Sequence, residues 1–281
     1  MKEIVRAEPA GFCFGVKRAV AAILEALKTT EDGKAVWTIG MPIHNPQEVE
    51  RLTAMGLCVA SSAAEIPNGA LVLVRAHGES RTVLKELKDK NVQIVDMTCP
   101  FVKRAQNLAN SLSEAGYHVV LLGDREHPEI RSIMGYIEGA SDVVADVEDA
   151  QKLAKKPQMA LISQTTQQEE LLASVAAVLV LRATELHVCN TICRATVDRQ
   201  EAVRRLAGKV DGMVLIGGRQ SANTGKLSDI AEENGLDVLW IETPSELQEG
   251  WFAGRTKIGI AAGASTPEWL IMEVCNKIAR M

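Results

Sequence analysis

The chain has 281 residues, 47 % hydrophobic and 24 % charged, with a formal net charge of −5. That is the balance of an ordinary globular protein; the acidity argues against a general nucleic-acid binder, and the length admits about two domains or three small ones. Charges in Met1-Lys2-Glu3-Ile4-Val5-Arg6 stand where a secretory leader needs apolar residues. The longest apolar run, Leu171 to Leu181, falls short of the roughly 20 residues of a membrane helix and reads as a buried helix. A cytoplasmic protein without a membrane span is expected.

In chain order, short apolar runs alternate with helical periodicity. Glu3–Arg6 reads as a strand, and Val16, Ala19, Val20, Ile23 and Leu24 recur at helical spacing after it. Val36–Gly40 leads to His44, Leu71–Val74 to His77, and Val92–Val95 to Cys99. The order then repeats: Val119–Gly123 leads to His127, Ala160–Ile162 to Thr165 and Thr166, and Leu186–Val188 to Cys193. It begins a third time, with Val214–Gly217 leading to Ser221 and Ile258–Ile260 to Ser265, and ends in a helix over 267–279. Strands alternating with helices predict parallel sheets with crossover helices. The third repeat lacks a closing strand, which Glu3–Arg6 can supply. The expectation is an α/β fold of three pseudo-symmetric lobes around a central cleft: 14–98, 99–192, and 193–281 plus 1–13. Ligands in such folds bind beyond the carboxyl ends of the strands, where the residues just named lie.

The repeat is sharpest at three cysteines. Cys13 opens Cys-Phe-Gly-Val-Lys-Arg-Ala, Cys99 opens Cys-Pro-Phe-Val-Lys-Arg-Ala, and Cys193 opens Cys-Arg-Ala-Thr-Val-Asp-Arg, which matches after a slip of one residue. Each is predicted at a strand-to-helix turn, where a helix N-terminus favours the thiolate that binds metal. Three thiolates converging on a metal leave one coordination position open. Zinc with three Cys and a water fits that pattern; an iron–sulfur cluster with one unligated iron fits all-sulfur ligation better. Buried apolar thiols are the plain alternative. Cys58 and Cys275 read as core, and Cys189 as a strand end.

His44, His77 and His127 fall at strand ends, whereas His118 and His187 fall within or beside strands and read as structural. Imidazoles with helix N-termini suit a phosphate or diphosphate. Ser221, Asn223 and Ser265 add neutral donors, and helix capping is an equally good use of them. Glu129 opens a helix, where the dipole favours an acid, and is the best proton donor on offer near an open metal position. Thr165, Thr166 and Thr196 can relay a proton or cap. The stretch Gly217 to Leu227 imitates a phosphate loop but has Gln220 and Leu227 where Gly and Ser or Thr are needed.

Gly11-Phe12-Cys13-Phe14-Gly15-Val16, Ile43-His44-Asn45, Arg75-Ala76-His77-Gly78, Asp96-Met97-Thr98-Cys99-Pro100, His127-Pro128-Glu129, Gln164-Thr165-Thr166, Cys193-Arg194-Ala195-Thr196 and Ser221-Ala222-Asn223-Thr224 stand in this order. Together they resemble the 4-hydroxy-3-methylbut-2-enyl diphosphate reductase family, the last enzymes of the non-mevalonate isoprenoid pathway. The resemblance implies a three-lobed α/β fold around a [4Fe–4S] cluster held by Cys13, Cys99 and Cys193. It implies a substrate hydroxyl on the open iron and a diphosphate among His44, His77, Ser221, Ala222, Asn223 and Ser265. His127 and Thr165 would line the pocket, with Thr166 and Thr196 behind them and Glu129 delivering protons. It also implies electrons from a ferredoxin or flavodoxin. Ala222 departs from the family's usual second serine, which removes one side-chain donor and leaves the backbone N–H. Other readings of the same residues are a three-Cys metal hydro-lyase and a phosphorylated-metabolite binding protein.

Overall fold

Three four-stranded parallel sheets carry the architecture of the computed structural model, which describes residues 2–30 and 35–281. The chain opens with β1 (Glu3–Arg6) and α1 (Phe14–Thr29). The first complete sheet follows as β2 (Val36–Ile39), α2 (Pro46–Ala54), β3 (Leu57–Ala60), β4 (Leu71–Val74), α3 (Arg81–Asp89) and β5 (Gln93–Asp96). After α4 (Pro100–Glu114) come β6 (His118–Leu122), α5 (Pro128–Met134), β7 (Ser141–Val144), α6 (Val147–Lys152), β8 (Lys156–Ser163), α7 (Glu169–Val180) and β9 (Ala183–Cys189). The last stretch holds α8 (Arg194–Arg204), β10 (Gly212–Ile216), α9 (Ala222–Glu233), β11 (Val238–Ile241), β12 (Lys257–Ala262) and α10 (Glu268–Ile278).

The strand orders are β3-β2-β4-β5, β7-β6-β8-β9 and β11-β10-β12-β1. All three follow one pattern, and β1 takes the place that β5 and β9 hold elsewhere. It pairs in parallel with β12, Glu3 opposite Lys257 and Arg6 opposite Ile260, so the N-terminal strand does close the third sheet. By contact the chain separates into two compact units. Unit one is Met1–Lys17, Ile43–Ala54 and Arg194–Met281; unit two is Arg18–Pro42 and Met55–Cys193.

Helices cover both faces of the sheets, which is why the central strands carry continuous apolar runs, such as Val119–Leu122 and Met213–Ile216, rather than alternating. In unit one, Ile260 and Val214 pack with Leu270, Ile271 and Val274 of α10, while Met213 and Leu215 pack with Val203 of α8 and Leu227 and Ile230 of α9. In unit two, Val119 and Leu121 of β6 meet Ala105 and Ala109 of α4 and Ile130 and Ile133 of α5, and Val120 and Leu122 face Leu172, Val175 and Leu179 of α7. Each such aliphatic side chain, fully buried, contributes about 1.5–3 kcal/mol.

The predicted helix over 171–181 is present as α7 but is buried on one face only. Leu172, Val175 and Leu179 are inside, whereas Val180 and Leu181 are 59 % and 78 % exposed, because a helix lying on a sheet hides a single stripe. Cys58 and Cys275 are half-buried rather than enclosed: β3 is an edge strand, and Cys275 packs at the margin of the α10 cluster. Among the described residues no helix is long and apolar enough to cross a membrane.

Candidate active site

Each of the three cysteines immediately precedes the first residue of a helix: Cys13 before α1, Cys99 as the N-cap of α4, and Cys193 before α8. All three backbones are fastened alike. The N–H of Cys13 donates to the carbonyl of Ala264 (3.0 Å), that of Cys99 to Ala76 (2.9 Å) and that of Cys193 to Thr165 (2.9 Å). The acceptor lies two residues beyond the end of β12, β4 and β8 respectively, so the triplication extends to single hydrogen bonds. The described cysteines form no disulfide, and these three are half-buried. Cys189 differs: it ends β9, it is 8 % exposed, and burial pushes its thiol pKa up.

In unit two a continuous set of contacts joins Cys99 to Cys193. The Ala76 carbonyl that holds Cys99 adjoins His77, whose ring meets His127 edge-on with centroids 5.6 Å apart. His127 caps α5, its Nδ1 accepting the N–H of Glu129 (3.1 Å), which leaves the proton of a neutral ring on Nε2. The Glu129 carboxyl accepts the N–H of Thr165 at Oε1 (2.7 Å) and the Thr165 hydroxyl at Oε2 (2.8 Å), and Thr165 holds Cys193. Glu129 is only 2 % exposed. Burial pushes its pKa up to about 7, with the two hydrogen bonds from Thr165 opposing. Thr166 is tied by its hydroxyl to the Gln164 amide (3.0 Å). Gly78 keeps this region dense: it stands at φ +75°, and a Cβ there would lie 2.5 Å from Gln106 Nε2 and 2.7 Å from Ser132 Oγ.

Unit one brings together His44, Ser221, Asn223 and Ser265 around the ends of β10 and β12. Asn45 caps α2 by accepting the N–H of Glu48 (2.8 Å), and the carbonyl of the adjacent His44 lies against Gly218, where a Cβ would be 2.7 Å away. The Ser221 side chain caps α9, accepting the N–H of Thr224 (3.2 Å). Asn223 is 5 % exposed, and both its amide oxygen and its amide nitrogen lack a partner among the described residues. A buried amide left unpaired is costly, typically about 1–3 kcal/mol. Ala222, its chain neighbour, and Ser265 are half-buried, and Thr196 is buried in α8.

Two arginines are functional candidates beyond those the sequence singles out, although the repeated Val-x-Arg (Val16-Lys17-Arg18, Val197-Asp198-Arg199) was their signal. One Nη of Arg18 donates to the carbonyls of Met97 (2.9 Å) and Thr98, and one of Arg199 donates to the carbonyl of Gly11 (2.6 Å). The Asp96 carboxylate also organises the turn before Cys99. Partial burial raises its pKa, but hydrogen bonds from the Thr98 hydroxyl and N–H and the nearby Lys103 ammonium outweigh this and hold it below the usual range.

The LytB protein family matches residues 4–279. A protein of Geobacter metallireducens named 4-hydroxy-3-methylbut-2-enyl diphosphate reductase is 44 % identical, the match covering 98 % of this chain and 96 % of that one. The Aquifex aeolicus protein of the same name is 43 % identical over 99 % and 96 %. A solved structure described as (E)-4-hydroxy-3-methyl-but-2-enyl diphosphate reductase, the terminal enzyme of the non-mevalonate pathway, is 42 % identical, covers each chain fully and superposes with a TM-score of 0.72. A Plasmodium falciparum structure at 24 % identity shares the fold, with a TM-score of 0.92 over 98 % of this chain and 87 % of that one. Spanning the fold and every motif above, these likenesses place the chain in the LytB protein family.

Proposed function

We propose that this protein is an oxidoreductase that reduces 4-hydroxy-3-methylbut-2-enyl diphosphate to isopentenyl and dimethylallyl diphosphate, the last step of the non-mevalonate isoprenoid pathway. Two electrons and two protons enter and the hydroxyl leaves as water. What supports the reading is similarity to reductases over nearly the whole chain, together with a buried acid poised near pH 7 in the contact path between two of the three cysteines.

Cys13, Cys99 and Cys193 would hold a [4Fe–4S] cluster. The donor set fits: three thiols at helix starts, on identically fastened backbones and outside any disulfide. When bound, the cluster supplies Lewis acidity and passes electrons, delivered by a ferredoxin or flavodoxin. The chain's own residues do the rest. Asn223, with its unpaired amide, the Ser221 hydroxyl, Ser265 and the backbone N–H of Ala222 hold the diphosphate with His44 and His77. The side chain of His127 fixes the first turn of α5 and with it Glu129. Glu129 in its acid form passes a proton through the Thr165 hydroxyl, which can accept from the carboxyl and donate onward. Thr166 and Thr196 would act as supporting residues behind those that touch substrate. The division into lobes at 14–98, 99–192 and 193–281 plus 1–13 follows the cysteine repeat, and the protein works in the cytoplasm without a nucleic-acid partner.

Anaerobic purification with iron and sulfide analysis tests the reading, alongside turnover of the allylic diphosphate with a chemically reduced dye. About four irons per chain are expected, with loss of the cluster in Cys13→Ser, Cys99→Ser and Cys193→Ser. Zinc in place of iron, dehydration without electron uptake, or ligand binding unaffected by those changes would each overturn it.

A further inference from the structure

One element of the repeat is not consumed by the chemistry above: the arginine of Val16-Lys17-Arg18, Val102-Lys103-Arg104 and Val197-Asp198-Arg199. Arg18 stands five residues after Cys13, Arg104 five after Cys99, and Arg199 six after Cys193, following the one-residue slip. Two of the three reach the loop that leads into another cysteine. Arg18 donates to the carbonyls of Met97 and Thr98, the two residues before Cys99. Arg199 donates to the carbonyl of Gly11, two residues before Cys13, and to Ala195 in its own helix.

The geometry points to Arg18 and Arg199 as positioning residues that hold the Cys99 and Cys13 loops in the shape the cluster needs. This rests on the cluster reading given above. The loops require outside support. Gly11 sits at φ +73°, and a Cβ there would lie 3.1 Å from both the Thr266 carbonyl and Ile271 Cδ1, so the turn is confined on one side and its carbonyl is tied by Arg199 on the other. The Thr98 turn is held from within by Asp96 and from outside by Arg18. Arg199 is 4 % exposed. A guanidinium is costly to bury unless its N–H groups are used, and here both Nη groups are spent on main-chain oxygens, of Ala195 and Gly11, close to proposed ligands. Its fixed fork suits fastening a peptide segment better than the flexible ammonium of lysine does. Arg104 supplies an internal control: it occupies the same helix position yet is exposed, and among the described residues its side chain donates to no carbonyl before Cys193.

The test uses the full chain, anaerobically loaded with iron and sulfide, in wild type, Arg18→Gln, Arg18→Lys, Arg199→Gln, Arg199→Lys and Arg104→Gln. It reads the rate of iron release to a chelator, the paramagnetic resonance spectrum of the reduced cluster, and thermal unfolding of the metal-free protein. Residues that orient metal ligands typically change metal retention about 10–100-fold. Arg199→Gln is expected to release iron at least about tenfold faster, and Arg18→Gln less than that because its guanidinium is nearer solvent. Both should alter the resonance spectrum, the lysine variants should recover part of the loss, and Arg104→Gln should match wild type. If Arg199→Gln fails to fold, Arg199→Lys and the Arg18 pair decide. Release rates and spectra equal to wild type in folded variants would overturn the proposal, as would an equal effect from Arg104→Gln. A wild type that binds no iron would instead sink the cluster reading itself.

Discussion

Glu129 and Asn223 each sit in the first turn of a helix that follows an apolar strand, and both are almost wholly buried. Their surroundings are opposite. Both carboxyl oxygens of Glu129 are engaged by Thr165, so its position is set before any ligand arrives and burial acts only on its charge. Asn223 has an amide unengaged among the described residues, beside the completed Ser221 cap. On the proposed function, the first corner is pre-arranged to deliver a proton and the second is left for an anion to complete. The contrast separates positioning from recognition, and it can be tested one side at a time.

The largest effect should come from Glu129→Gln, which keeps the shape but removes the acid. Turnover is expected to fall about 10²–10⁴-fold with iron content unchanged; turnover within a few-fold of wild type would take the proton role from Glu129. Next comes stability against pH. The folded pKa of about 7 lies above the ordinary 4.5, so between those values the unfolded chain releases a proton that the folded one retains. Stability from this group is greatest below pH 4.5, declines as pH rises, and levels off above about 7, for a total of about 3 kcal/mol. Denaturant titrations of wild type and Glu129→Gln across that window should diverge with this sign, and parallel curves would show an ordinary carboxylate.

On the other side, Asn223→Leu should weaken diphosphate binding about 10–100-fold by calorimetry. It should also raise the unfolding temperature of the ligand-free protein, since the unpaired amide is gone. A fall in both would mean that Asn223 is structural. The smallest effect is that of Ser221→Ala, about 1 kcal/mol of stability from the lost cap of α9, measured by denaturant unfolding. With it should go a modest rise in KM, which a pure cap would not produce.

Much of this arrangement was legible in the sequence because it is written three times. The strand endings before His44, His77, Cys99, His127, Thr165, Cys193, Ser221 and Ser265 followed from apolar runs stopping at short polar turns. The closing role of Glu3–Arg6 followed from a count of strands. Less legible was β7, a short strand at a sheet edge, because Ser141–Val144 begins with Ser-Asp; the edge strand β11, Val238–Ile241, is wholly apolar and its signal was there to be read. The partners of Arg18 and Arg199 were out of reach for another reason. A guanidinium choosing a carbonyl 79 or 188 residues away is decided by packing, not by local pattern. The Glu129 pKa belongs to the same class, since it comes from burial rather than from a charged neighbour in the chain.

The pairing of Glu3 with Lys257 spans 254 positions (257 − 3), whereas the strands of the other two sheets come from residues 36–96 and 118–189. At the usual ribosomal pace of about 5–20 residues per second, β1 emerges roughly 13–50 s before its partner exists. During synthesis those two sheets can mature in turn while the first strand waits with an unsatisfied edge. Assembly of the remaining sheet, and of the Cys13 corner fastened to Ala264 within it, is therefore deferred until β12 has been made.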